Sequence, residues 1–219
     1  MPQVFHRRTN TIARVSLLGT LLLAAFLLWV CLVYVRSSYG TGAGAVRVQP
    51  VPFSHEHHVG DLGIDCRYCH TAVEDSSYAG LPPTKTCMNC HSQIWVGSDL
   101  LAPVRESYRT GQSLQWQKIY NLPGFVYFDH SIHVHKGVGC TTCHGRIDEM
   151  PFTYQLPSLL MEWCLDCHRG PERHLRPLSE VFNVRWEPPP DQLERGRELA
   201  KQYDLRDPRF LTSCSVCHR

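Results

Sequence analysis

The sequence lacks an excess of charge of either sign. Its 219 residues contain 22 Lys and Arg against 20 Asp and Glu, a formal net charge of +2. Because nucleic-acid-binding domains rely on a basic surface, we expect no nucleic-acid partner. The H-E-x-x-H and G-x-S-x-G motifs and a phosphate-binding glycine loop are also missing. The sequence therefore predicts no catalytic site of these classes.

Cysteine is the residue that stands out. Ten of the eleven cysteines form C-x-x-C pairs, each followed directly by a histidine. In chain order we call them motifs 1 to 5: Cys66, Cys69, His70; Cys87, Cys90, His91; Cys140, Cys143, His144; Cys164, Cys167, His168; and Cys214, Cys217, His218. C-x-x-C-H is the attachment signature of c-type haem, in which the thiols bond to the porphyrin and the histidine is the proximal iron ligand. We predict five covalently bound haem c groups.

Zinc sites, thioredoxin-like redox pairs and disulfides are the alternatives. Zinc needs no histidine directly after every pair, and a disulfide scaffold would show varied spacings. Haem c is attached on the oxidising side of the membrane, so we expect the cysteine-rich part of the chain in the periplasm.

One long apolar run precedes the motifs. Residues 15–35 carry no charge and as a helix would be about 31 Å long, enough to cross the hydrocarbon core of a bilayer. Arg7, Arg8 and Arg14 before it favour a cytoplasmic tail of residues 1–14. We expect a single-pass anchor in the inner membrane and a linker over residues 36–52. A cleaved signal peptide is the alternative, since Ala43-Gly44-Ala45 resembles a cleavage site.

The pattern F-[SD]-H-x-x-H-V occurs twice, at residues 53–59 and 128–134, offset by 75 residues. Each copy precedes a close pair of C-x-x-C-H motifs. We interpret residues 53–219 as a cytochrome domain with duplicated two-haem units at about 53–127 and 128–190, followed by a fifth motif in residues 191–219. We expect little regular secondary structure, with short helices around five haems and one clear helix over residues 191–203.

Each duplicated unit needs two distal iron ligands and contains two additional histidines. Residues three apart on a helical turn share a face, so His55 and His58, and likewise His130 and His133, could each reach a different iron. The fifth haem then needs another ligand. Met150 or Met161 is expected, with His135 and His174 as less favoured candidates, and a thioether ligand would raise that haem's potential.

Four segments carry a family resemblance: FSHEHHVGDLGIDCRYCH, NLPGFVYFDHSIHV, CTTCHGRIDEM and YQLPSLLMEWCLDCHR. They resemble the pentahaem cytochrome c subunit of bacterial alternative complex III, over about residues 53–219. The sequence departs from that family at Glu162, where the family favours a small residue.

The resemblance implies an electron carrier that takes electrons from quinol in a respiratory or photosynthetic chain and delivers them to a periplasmic acceptor. It also implies three kinds of partner: an iron–sulfur subunit resembling molybdopterin oxidoreductases, polytopic quinol-binding membrane subunits and a monohaem cytochrome c. Two alternatives remain. One is a stand-alone membrane-anchored multihaem quinol dehydrogenase that feeds periplasmic reductases, and the other is a terminal reductase, which needs an open iron.

Overall fold

The computed structural model describes residues 4–218, so residues 1–3 of the expected cytoplasmic tail and Arg219 of the fifth-motif segment lie outside the described part. Two compact units make up the chain. The first ends at Gly42 and the second begins at Ala43.

The first unit contains two helices, α1 (Thr9–Arg36) and α2 (Ser38–Thr41). At 28 residues α1 is about 42 Å long, and it includes all of the apolar run over residues 15–35. It is long and apolar enough to cross a membrane, by length and composition. The Ser37 side chain accepts a hydrogen bond from the Gly40 amide and so caps the start of α2.

The second unit is built from short helices. They are α3 (Cys66–Cys69), α4 (Thr84–His91), α5 (Ala102–Thr110), α6 (His130–His135), α7 (Cys140–His144), α8 (Met161–Arg169), α9 (Gln192–Gln202), α10 (Pro208–Leu211) and α11 (Cys214–Cys217). A π-helical turn, Glu56–Asp61, precedes α3. Within residues 4–218 there are no strands, only the isolated bridges Val46–Tyr154 and Val138–Leu175. The predominance of short helices and the helix near residues 191–203 agree with the sequence expectation.

The hydrophobic core of the second unit is small. Its buried cluster consists of Val73, Val134 and Val181, with Ala79 and Phe182 packed against it. Val73 follows motif 1 and Val134 lies on α6, just before motif 3. The core therefore joins the two duplicated segments rather than closing each one separately.

Helix α9 approaches the loop after motif 4 very closely. Gly196 is buried, and a Cβ at that position would overlap the backbone carbonyl oxygen of Glu172. The Gln192 side chain donates hydrogen bonds to the carbonyls of Glu172 (3.0 Å) and Leu175 (2.8 Å). The close approach explains a glycine in the middle of a helix, where it costs about 1 kcal/mol relative to alanine.

Candidate haem-binding sites

Each C-x-x-C-H motif forms a helical turn. In motif 1 the His70 amide donates to the Cys66 carbonyl at 2.9 Å, and in motif 5 the His218 amide donates to the Cys214 carbonyl at 2.8 Å. These bonds between residues four apart bring both cysteines and the histidine onto one short turn. Asp65 caps the first turn, because its side chain accepts a hydrogen bond from the Arg67 amide.

The two F-x-H-x-x-H segments, which we call the first and second distal turns, have matching geometry. In the first, Phe53 lies edge-on to His55 (4.9 Å, 87°) and stacks on His58 (4.4 Å, 23°). In the second, Phe128 is related to His130 (4.8 Å, 88°) and His133 (4.6 Å, 27°) in the same way. The phenylalanine of the repeated pattern therefore holds both histidine rings, a role that sequence reasoning did not assign to it.

The distal turns place four histidines opposite the histidines of four motifs. The ring centroids are 6.5 Å apart for His55 and His70, 6.2 Å for His58 and His91, 6.5 Å for His130 and His144, and 6.2 Å for His133 and His168. The interplanar angles are 10°, 69°, 12° and 30°, in the same order. We call these pairs sites 1 to 4, after their motifs.

These distances fit a metal between the two rings of each pair. Metal–imidazole bonds are about 2.0–2.1 Å long, and C–N bonds of about 1.33 Å set the radius of a five-membered ring near 1.1 Å. Two ligands on opposite sides of one iron would therefore have centroids about 6.3 Å apart. All four separations lie within 0.2 Å of that value. The residues present fit a haem iron with two axial histidines at sites 1 to 4.

Hydrogen bonds at Nδ1 fix the orientation of most of these rings. Seven rings have a hydrogen bond at this atom. Nδ1–H donates to a backbone carbonyl in six of them: His58 to Ser54 O (2.8 Å), His70 to Gly80 O (2.7 Å), His91 to Ile94 O (3.2 Å), His130 to Ser77 O (2.8 Å), His133 to Asp129 O (2.7 Å) and His168 to Leu211 O (2.9 Å). In the seventh, His55 Nδ1 bonds to the Thr153 hydroxyl (2.8 Å). A carbonyl accepts only from Nδ1–H, which leaves Nε2 as the atom for a metal. Backbone carbonyl partners leave no sequence signal, so these could not have been predicted.

Burial favours the neutral form of two of the paired histidines, His55 and His144. It lowers the pKa of His55 to about 4, with the neighbouring His70 and His58 contributing. Burial likewise lowers the pKa of His144 to about 4, together with His130, His70 and His55. A metal binds the neutral imidazole, so rings that resist protonation at pH 7 suit ligation.

Motif 5 has a histidine with a different environment. His218 Nδ1 lies 3.1 Å from the Phe125 carbonyl, and the Tyr127 amide donates to the Cys217 carbonyl at 2.8 Å. Among residues 4–218, no second histidine ring faces His218 as in the other four pairs. The distal turns therefore place no histidine opposite His218 in the described part of the chain.

The two methionine candidates for that ligand lie in different surroundings. Met150 is 4% exposed, its carbonyl accepts a hydrogen bond from the Glu56 amide, and its methyl group lies beside Gly145. Met161 is 66% exposed and begins α8, one turn before Cys164. Met150 thus packs between motif 3 and the first distal turn. Met161 lies on α8, which contacts α10, and α10 is the helix just before motif 5.

Of the remaining histidines, His135 bonds through Nδ1 to its own helix at Ser131 O (2.7 Å), and His57 lies near Asp61 and Trp95. His174 lines an open cavity beside motif 3, whose other walls include Thr141, Thr142, Arg173, Arg176 and Trp186. Burial lowers the pKa of His174. None of the three faces a motif histidine in the described part of the chain.

Two side chains next to motif 3 were not anticipated. The Tyr120 hydroxyl donates to the Cys143 carbonyl (3.2 Å) and accepts from the Leu156 amide (3.1 Å), with its ring 4.4 Å from His144. Arg176 is buried, lies over the Trp186 ring at 4.3 Å, and donates to the hydroxyls of both threonines of motif 3. Both brace the turn that carries Cys140 and Cys143.

No disulfide joins any two of the eleven cysteines, all of which lie within the described residues. Over residues 4–218 no group of three or more His, Cys, Asp or Glu side chains is arranged to hold a metal ion by itself, so a closed zinc site of protein ligands is not formed there.

No protein-family model matches the sequence. A curated relative from Nitratidesulfovibrio vulgaris, the multiheme cytochrome c subunit of menaquinone reductase, is 41% identical over 176 residues. The match covers 78% of this chain and 77% of the relative.

Proposed function

The chain belongs to the family of multihaem cytochrome c subunits that includes this menaquinone reductase subunit, and on that premise we propose that it carries electrons as a membrane-anchored pentahaem subunit of a quinone-linked oxidoreductase complex. The observation that carries the proposal is the set of four opposed histidine pairs, each with ring centroids 6.2–6.5 Å apart. Because two histidines would hold the iron at each of these sites, no position would remain for a substrate, which favours electron transfer.

Each part of the chain has a defined role in this proposal. The cysteines of motifs 1 to 5 attach haem c, and the histidines that follow them are the proximal ligands. His55, His58, His130 and His133 are the distal ligands of sites 1 to 4. When bound, haem c supplies an iron that exchanges single electrons. The protein holds the ligand rings through Phe53, Phe128 and the Nδ1 hydrogen bonds.

Met161 is the better candidate for the distal ligand at motif 5. It lies one helical turn before Cys164 on α8, and α8 packs against α10, the helix just before motif 5. Met150 is instead packed beside Gly145 of the motif 3 turn. We therefore assign Met161 to the iron held by His218 and a packing role to Met150.

The setting follows from α1 and from the family resemblance. We propose that α1 anchors the subunit in the inner membrane with residues 43–219 in the periplasm. The resemblance to alternative complex III supplies three partners: an iron–sulfur subunit resembling molybdopterin oxidoreductases, polytopic quinol-binding subunits and a monohaem cytochrome c. In that setting electrons pass from quinol to a periplasmic acceptor.

The test compares the full-length subunit purified alone with the complex purified from the same membranes. We expect five covalent haems per chain in both preparations, and haem reduction by a quinol analogue only in the complex. Reduction of the isolated subunit would contradict the proposal and support a stand-alone quinol dehydrogenase. A count below five would contradict the pentahaem assignment.

The name of the relative favours a second candidate, in which electrons flow toward menaquinone. The two directions are distinguished with the purified complex. Quinol with oxidised cytochrome c tests the first direction, and a reduced donor with a menaquinone analogue tests the second. Turnover only with the second pair would assign the reductase direction and exclude the alternative complex III role.

A further inference from the structure

The two duplicated segments exchange hydrogen bonds at their distal histidines. His55, in the first distal turn, bonds to the Thr153 hydroxyl at 2.8 Å, and Thr153 lies in the loop after motif 3. His130, in the second distal turn, bonds to the Ser77 carbonyl at 2.8 Å, and Ser77 lies in the loop after motif 1. Each segment therefore orients a distal ligand of the other, and the two histidines involved are those of sites 1 and 3.

Backbone contacts follow the same reciprocal pattern. The Glu56 amide donates to the Met150 carbonyl (3.1 Å), and the Ser131 amide donates to the Ser76 carbonyl (3.2 Å). Gly60, in the π-helical turn, approaches the Asp148 carbonyl so closely that a Cβ would overlap it. Each distal turn therefore contacts the other segment through its backbone as well as through its histidine.

Site 1 and site 3 are also adjacent at their cysteines, since Cys66, the first of motif 1, and Cys140, the first of motif 3, are neighbours. His144 lies within electrostatic range of His70 and His55 as well as of its own partner, His130. The junction between the duplicated segments thus joins motif 1 to motif 3.

The distal turns determine which site lies next to site 1 and which lies next to site 3, on the sides away from the junction. One turn carries both His55 and His58, so sites 1 and 2 share it, and Cys69 of motif 1 lies near Cys87 of motif 2. The second turn carries His130 and His133, which join sites 3 and 4. There Cys143 of motif 3 lies near the cysteines of motif 4.

Motif 5 continues this row beyond site 4. Cys164 lies near Cys217, and His168 of site 4 bonds to the carbonyl of Leu211, which ends α10 just before motif 5. These contacts connect the motifs in the order 2, 1, 3, 4, 5.

We propose that the five haem sites form one unbranched row in the order 2, 1, 3, 4, 5, with its central step between sites 1 and 3 at the crossed hydrogen bonds of His55 and His130. This inference rests on the proposed function. It differs from the order of the motifs along the chain, in which site 2 would be the neighbour of site 3. It places the entry and exit points for electrons at sites 2 and 5.

The test uses electron paramagnetic resonance (EPR) of the oxidised full-length protein in detergent. The angle between axial ring planes sets the anisotropy of a low-spin ferric signal. Sites 1 and 3, at 10° and 12°, should share one set of g values, which we call the rhombic signal, and site 4, at 30°, should give a separate set. Site 2, at 69°, should give a highly anisotropic signal. His58→Ala should make site 2 high-spin, and this centre broadens its nearest neighbours because dipolar coupling falls with the cube of distance.

With His58→Ala we expect half of the rhombic signal to broaden, since only site 1 adjoins site 2. Broadening of all of it or of none would overturn the order. His57→Ala, at an adjacent exposed residue, is the matched control and should change nothing. Should His58→Ala fail to accumulate, His55→Ala makes site 1 high-spin instead. The remaining rhombic signal, from site 3, should then broaden, and its persistence unchanged would overturn the order.

Haem counting separates this inference from the proposed function. Five covalent haems per chain, together with a new high-spin signal in His58→Ala, mean that the ligand assignment holds whatever the broadening shows. Fewer than five haems, or the absence of a high-spin signal, would count against the proposed function and would overturn the order with it.

Discussion

Thr153→Val removes a hydrogen bond to a distal histidine while leaving the size of the side chain nearly unchanged. The Thr153 hydroxyl lies 2.8 Å from His55 Nδ1. It differs from the other Nδ1 partners of the paired histidines, which are backbone carbonyls and cannot be removed by substitution. When Nε2 binds iron, Nδ1–H donates to the hydroxyl and makes the ring a stronger electron donor.

The size of the effect follows from the strength of one hydrogen bond. A neutral hydrogen bond contributes about 0.5–1.5 kcal/mol, and a tenfold change in a one-electron equilibrium is about 1.4 kcal/mol or about 59 mV. Loss of the bond weakens the ligand that stabilises the ferric state. We therefore expect the reduction potential of site 1 to rise by about 20–60 mV in Thr153→Val.

An EPR-monitored redox titration of the full-length protein measures this shift. Half of the rhombic signal should titrate at the higher potential, while the highly anisotropic signal of site 2 stays in place. Thr153→Ser keeps the hydroxyl and should restore the original potential. Ser77→Ala keeps the carbonyl that His130 uses, so site 3 should not shift. An equal shift in Thr153→Ser, or none in Thr153→Val, would refute the role of this bond.

Three further predictions concern the fifth site and the fold. Replacing Cys214 and Cys217 together by Ala should reduce the haem count by pyridine haemochrome from five to four, and loss of two or more haems would contradict the independence of motif 5. Met161→Leu should abolish the near-infrared band typical of methionine-ligated ferric haem, whereas Met150→Leu should retain it; the opposite result would exchange their roles. Gly196→Ala should lower stability by about 1–3 kcal/mol despite the better helix propensity of alanine, because its Cβ would overlap the Glu172 carbonyl. Thermal unfolding measures the change, and Lys201→Ala on the exposed face of α9 is the control. A more stable Gly196→Ala variant would contradict the prediction, because it would show that the loop carrying Glu172 can move away at little cost.

Much of the candidate site could be predicted from the sequence because it is encoded by local spacing. A C-x-x-C-H motif folds into one turn with the histidine amide bonded to the first cysteine, as at Cys66 and His70. The H-x-x-H spacing likewise places two rings on one turn. The first distal turn nevertheless differs in detail from the expected helical turn, since Glu56–Asp61 is π-helical where the second turn is the α-helix His130–His135.

What could not be predicted depends on contacts between distant segments. Thr153 orients His55 across 98 residues of sequence, and the carbonyl of Ser77 orients His130 across 53. A carbonyl carries no residue identity, and an isolated threonine carries no motif. The sequence likewise leaves the choice between Met150 and Met161 open, because it depends on which methionine lies beside motif 5 in the folded chain.

The exchange between the duplicated segments also bears on why they remain together in one chain. A single two-haem unit would leave His55 without its Thr153 partner and His130 without its Ser77 partner, because each partner belongs to the other copy. The buried valines make the same connection, since Val73 follows motif 1 and Val134 lies on α6. The His55 bond is half-buried, and an N–H that loses its acceptor there costs up to about 1–3 kcal/mol, so the first unit alone would hold its distal ligand less firmly. The central step of the row thus coincides with the contacts that stabilise the fold, and a substitution that loosens the junction should impair folding and electron transfer together.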